Sequence, residues 1–132
     1  YLLGVMSSVP FDWIARRRVE THLNYFVLNS LPVPRPPRTD DRWQRVREVA
    51  GRLAAIDDRY GDFAAAVGVD SGPLPDRERA RLVAELDALV AHLFGLDREE
   101  LKSMFEDFVE TDAGISPGRR AAILEWYDRW AS

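Results

Sequence analysis

Asp76-Arg77-Glu78-Arg79-Ala80-Arg81-Leu82-Val83-Ala84-Glu85-Leu86-Asp87-Ala88-Leu89-Val90-Ala91-His92-Leu93-Phe94-Gly95 carries the strongest pattern in the chain. Leu82, Leu86, Leu89 and Leu93 recur every three or four residues, which is the period of one face of an α-helix. The stretch predicts a helix from about Asp76 to Phe94. Gly95 follows as a left-handed end cap, a conformation that glycine takes without steric cost.

The same period extends in both directions. On the C-terminal side, Asp97 with Glu100 reads as a capping-box variant opening a helix with Leu101, Met104, Phe105 and Phe108 inward. Ser116-Pro117 opens a last helix with Ile123, Leu124, Tyr127 and Trp130 inward. On the N-terminal side, Asp70-Ser71-Gly72-Pro73 is a turn, and Phe63, Ala66 and Val67 belong to a short helix. Trp43, Val46, Val49, Ala50, Leu53 and Ile56 form one face of a helix from about Asp41 to Asp57. Residues 42–132 are thus expected to form a bundle of four to five short helices.

Leu31-Pro32-Val33-Pro34-Arg35-Pro36-Pro37-Arg38 breaks the pattern. Proline cannot donate to a helix or a sheet, so this stretch is expected to be extended and semi-rigid. It marks a proline-rich linker at 35–41 between a segment 1–34 and the helical domain 42–132. Two short helical pieces are expected before it, Tyr1 to Ser8 and Phe11 to about Val19. His22-Leu23-Asn24-Tyr25-Phe26-Val27-Leu28-Asn29 is rich in aromatic and β-branched residues and reads as a strand. A single strand leaves its backbone groups unpaired, so its partner would lie in another part of a larger protein or in a second copy. The fold class is therefore mainly α, a small helical bundle with a short N-terminal helix–strand segment. The apolar opening Tyr1 to Met6, with no polar lead-in or cap, leads us to expect a piece cut from the C-terminal end of a larger protein.

Composition narrows the chemistry. The 132 residues contain no cysteine, which excludes disulfides and thiolate sites and fits a cytoplasmic protein. No apolar run approaches the about 18 residues of a membrane span. His22 and His92 have no ligand-spaced partners, so no metal site is expected. The glycines are scattered singly, and no nucleotide-binding loop or serine elbow is readable. Asp57-Asp58 and Glu99-Glu100 are adjacent pairs that do not face each other on a helix, so they make poor catalytic dyads. No catalytic residue and no cofactor are expected in this chain.

The net charge of −4 divides unevenly. Residues 1–47 carry eight arginines and four acids, while residues 48–132 carry ten basic and eighteen acidic side chains. A polyanion would therefore meet the first part. Arg16-Arg17-Arg18 is the only dense basic cluster.

Three segments together resemble a known family. Leu2-Leu3-Gly4-Val5-Met6-Ser7-Ser8-Val9-Pro10-Phe11-Asp12-Trp13 is similar to a helix near the end of large adenine-specific DNA methyltransferases of restriction-modification systems. His22-Leu23-Asn24-Tyr25-Phe26 followed by Leu31-Pro32-Val33-Pro34 resembles the close of their target-recognition domain. Leu86 to Leu96, with Leu101 to Phe108 after it, resembles their C-terminal helical segment. The family transfers a methyl group from S-adenosylmethionine to adenine, and some members are type II restriction enzymes fused to the methylase. Its Asn-Pro-Pro-aromatic motif and cofactor glycine loop are absent from this sequence. What the resemblance implies is a supporting role in DNA target recognition, within a parent protein that contacts DNA.

Two functional readings follow. In the first, the chain is a non-catalytic tail of such a methyltransferase. Arg16, Arg17 and Arg18 then hold phosphates, His22 lies beside them, and Asn24 addresses an adenine edge. In the second, it is a helical protein-interaction or oligomerisation module, with Tyr1, Leu2, Leu3 and Tyr25 to Leu28 as its candidate exposed apolar patch. Its partner is then the rest of the parent chain or, for the isolated chain, a second copy in a homodimer. Neither reading involves a membrane.

Overall fold

The computed structural model describes residues 1–19, 22–108 and 114–132. Helices run Leu2–Met6 (α1), Val9–Arg18 (α2), Tyr25–Ser30 (α3), Asp41–Ala54 (α4), Gly61–Val67 (α5), Asp76–Leu93 (α6), Arg98–Glu106 (α7) and Pro117–Trp130 (α8), with a single 3-10 turn at Asp58–Tyr60. The mainly α expectation holds. The strand over His22–Asn29 does not: no strand occurs among the described residues. Asn24 instead caps α3, its Oδ1 accepting from the Val27 N–H at 3.0 Å. A helix meets its own backbone needs locally, whereas a lone strand has no ladder to join, so capping outweighs aromatic β-propensity here.

Most helix starts follow the sequence. Ser8, Asp40, Asp97 and Ser116 cap α2, α4, α7 and α8. Asp97 and Glu100 form a complete capping box, each side chain accepting from the other's backbone N–H at 2.8 Å. Gly95 has φ +74°, the left-handed end of α6. Two details differ from expectation. Helix α4 stops at Ala54, three residues short of Asp57, which instead caps the 3-10 turn. Ile56 is consequently turned outward, and Phe63 is exposed while Ala64 is buried in its place.

Helix α6 lies at the centre and packs against α2, α4 and α8. Its two faces differ in size. Ala84, Ala88 and Ala91 meet Leu101, Met104, Phe105 and Ile123 of α7 and α8. Leu82, Leu86, Leu89 and Val90 meet Val5, Phe11, Val46 and Val49 of α1, α2 and α4. Small side chains on one face let a neighbouring helix approach closely, and large ones on the other fill the wider gap.

The segments before and after the prolines share this core. Val5, Phe11 and Leu31 belong to the same cluster as Val46 and Leu86. Tyr1 stacks on Trp43 with ring centroids 5.3 Å apart, and its hydroxyl donates to the Pro34 carbonyl at 2.8 Å. A Cβ on Gly4 would stand 2.7 Å from Val46 Cγ1, so the α1 backbone lies directly on α4. The proline segment is therefore a strap along one packed unit and does not separate 1–34 from 42–132 as an independent linker would.

Two acids sit inside this apolar arrangement. Glu85 accepts from Arg45 Nε at 2.8 Å and Nη2 at 2.9 Å, a two-pronged pair joining α6 to α4. Asp87 accepts from the Val9 N–H at 2.9 Å through one oxygen and from Arg119 Nη2 at 2.8 Å through the other. It thereby holds the first turns of α2 and α8 at once. Burial pushes the Asp87 carboxyl above the usual carboxylate range, while the Arg119 charge and the Val9 N–H pull it down.

Leu89 is fully buried, so Leu89→Ala should lower unfolding free energy by about 2–5 kcal/mol. Phe26→Ala, at an exposed position, should change it by less than about 0.5 kcal/mol. Urea titrations of the two variants check both, and equal midpoints would remove Leu89 from the core.

Candidate functional site

Of the five residues singled out from the sequence, the three arginines lie on α2, and His22 and Asn24 lie between α2 and α3. The arginine triplet occupies the last turn of α2, where a cation is favoured by the helix dipole. Each arginine has a local engagement. Arg16 pairs with Asp12 one turn earlier, Nε lying 3.0 and 3.1 Å from its oxygens, and its guanidinium lies 5.1 Å from the Phe108 ring centre. Arg17 lies 3.9 Å over the Trp13 ring and donates to Asp107 Oδ2 at 2.9 Å. Trp13 Nε1 donates to that same oxygen at 2.7 Å. Arg18 Nη1 donates to the Ser30 carbonyl at 3.1 Å, tying α2 to the end of α3.

This arrangement limits what the cluster can do. Two of the three arginines are already neutralised by carboxylates, so their pull on a phosphate is reduced. Asn24 Oδ1 is committed to the α3 cap, which leaves only its NH₂ available. Two-pronged pairing with an adenine edge needs both halves of the amide. His22 is exposed and outside the helix. The structure brings Arg18 and the Asn24-capped helix together through Ser30.

Two features dominate this end of the molecule, and the sequence pointed only to the second. The first is Trp13–Arg17–Asp107, which joins α2 to the residue after α7. The only signal for it was the four-residue spacing of Trp13 and Arg17 on one helix face. The second is an apolar surface. Tyr25 and Phe26 are 82% and 89% exposed, and Leu2 and Leu3 of α1 are both more than half exposed. Between α1, the Leu28–Leu31 turn and Trp43 runs a groove of about 680 Å³. Phe11 and Leu31 form its floor, and Arg35 and Arg38 stand at its rim.

A larger cleft, of about 1190 Å³, lies between the first half of α6 and α8. Arg81 and Arg129 flank Trp126 there, 5.7 and 4.7 Å from its ring centre. Each is paired with an acid, Glu78 and Glu125 respectively. His92 stacks on Tyr127 with centroids 3.9 Å apart and contacts its carbonyl through Nε2 at 2.8 Å, a packing role. Among the described residues no group of His, Asp and Glu has metal-binding geometry, and no helix is long and apolar enough to cross a membrane.

No known protein family, curated protein or solved structure matches the chain.

Hydrogen bonds from Trp13 and then Arg17 hold the Asp107 carboxyl below the usual aspartate range. A depressed folded-state pKa means the bridge stabilises the fold at neutral pH, and that contribution is lost as pH falls through the lowered value. Tryptophan fluorescence of the folded chain should therefore show an acid transition below the ordinary aspartate range that is missing from Asp107→Asn. Identical acid titrations of the two proteins would show that the bridge does not form.

Proposed function

We propose that this chain is a non-catalytic helical docking module that presents the apolar surface of α1 and the Leu23–Phe26 stretch to another protein. The exposure of Leu2, Leu3, Met6, Leu23, Tyr25 and Phe26, all within the first 26 residues, carries this reading. Large apolar side chains gathered in this way are characteristic of protein contacts, because covering them releases ordered water. In the setting that the family resemblance implies, the covered surface belongs to the rest of an S-adenosylmethionine-dependent adenine methyltransferase, where the catalytic and cofactor motifs would reside.

Direct support of DNA target recognition is the second reading. It draws on Arg18, an exposed arginine whose described contact occupies only one nitrogen. Arg16 and Arg17 would have to exchange Asp12 and Asp107 for phosphates, and Asn24 would have to give up its cap.

Two titrations separate these readings. On the docking reading, Tyr25→Ser with Phe26→Ser removes most of the binding of a dye that reports exposed apolar surface. Replacing Arg16, Arg17 and Arg18 with alanine then leaves duplex-DNA affinity and its salt dependence unchanged. On the DNA reading, the triple change lowers the salt slope by about one unit for each phosphate no longer held. Circular dichroism of each variant establishes that the helices persist. Dye binding unaltered by the Tyr25 and Phe26 changes would overturn the docking reading.

A further inference from the structure

Among the described residues, the exposed large apolar side chains fall at two places. One is the α1 and Leu23–Phe26 surface with its adjoining groove. The other is the corner that follows α4, where Ile56, Tyr60 and Phe63 are 42%, 40% and 41% exposed. This corner is acidic: Asp57, Asp58 and Asp62 alternate with the apolar residues, and Arg59 is clamped to Asp57 by paired bonds of 2.8 to 3.2 Å. The groove is its opposite in charge. Arg35 and Arg38 are exposed at the rim, and no acid lines the groove among the described residues. The neighbouring Asp40 carboxylate is occupied by the backbone N–H groups of Arg42 and Trp43.

The two surfaces lie at opposite ends of α4. Trp43 lines the groove in the helix's first turn, and Ile56 follows two residues after Ala54 ends it. Eleven helical steps, from Trp43 to Ala54, place them roughly 16 Å apart along the axis at about 1.5 Å per residue. Within one molecule, packed α4 holds them apart, so they can meet only between molecules.

The geometry points to head-to-tail pairing of copies of this chain, in which the acidic apolar corner at Ile56–Phe63 of one copy seats in the arginine-rimmed groove of the next. This rests on the docking reading above and names a partner for its groove. A symmetric groove-to-groove dimer would bring Arg35 and Arg38 against their own counterparts, and like charges across an interface disfavour it. The head-to-tail contact instead sets Asp58 and Asp62 against Arg35 and Arg38 while covering Tyr60 and Phe63. Each copy keeps one unused groove and one unused corner, so the contact propagates until a ring closes or a filament grows.

Sedimentation velocity over a concentration series, at low and high salt, tests this. Wild-type chain should associate reversibly, and less so at high salt. Arg35→Glu with Arg38→Glu, and separately Asp58→Arg with Asp62→Arg, should each raise the midpoint concentration by about tenfold or more. An equimolar mixture of the two variants should recover association, because each now offers a complement to the other. These positions are exposed and cap no helix, so thermal melts should match the wild type. If a double change does abolish the melt, Arg38→Glu alone and Asp62→Arg alone serve in the same mixing design. The pairing is overturned if the wild type stays monomeric at its highest attainable concentration, if both variants associate as the wild type does, or if mixing restores nothing. None of these outcomes bears on the dye test, which decides the docking reading by itself.

Discussion

The arrangement depends on Asp87, one of two buried acids in the middle of a helix whose other buried residues are alanine, leucine and valine. A buried carboxylate is tolerated only when paired and hydrogen-bonded. Asp87 meets that condition with groups from two other elements, the Val9 N–H and Arg119. Glu85 does the same with Arg45 of α4. Apolar packing alone would accept several rotations of α2, α4 and α8 about the central helix. A carboxylate that needs particular donors at particular angles accepts few, which is the registry role attributed to buried polar groups in other folds.

How much of this the sequence announced depends on the range of the interactions. The α6 stripe, the Asp97–Glu100 box and the Gly95 cap were readable because their partners lie within a turn or two. The burial of Glu85 and Asp87 was not. Acids on a helix are exposed by default, and donors 32, 40 and 78 residues away make burial acceptable. The strand expected over His22–Asn29 fails for the converse reason. Its aromatic and β-branched content favours extended backbone, but the Asn24 cap in the same segment favours a helix and prevails.

The candidate site shows the same division. The arginine triplet stands out as a cluster, but one of its chief partners, Asp107, lies 90 residues along the chain. Charge density along a sequence counts cations without their counter-ions. The apolar residues Tyr1, Leu2 and Leu28 could be picked out, but the groove they line could not. It exists only because α1, the turn after α3, the proline strap and the start of α4 are brought together by the shared core.

The attachment of α3 has a consequence for how the molecule opens. None of its residues is fully buried, and it is held by the Asn24 cap, by Leu28 packed against the core and by the bond from Arg18 to Ser30. Helix α6, by contrast, is enclosed from Ala84 to Ala91. Amide hydrogens of α3 can exchange with solvent through a small local opening, whereas those in the middle of α6 must wait for unfolding of the whole unit. The surface assigned to docking therefore sits partly on an element that detaches more readily than α6. A partner that covers Tyr25 and Phe26 would slow exchange at α3 far more than at α6, so deuterium uptake can locate the contact.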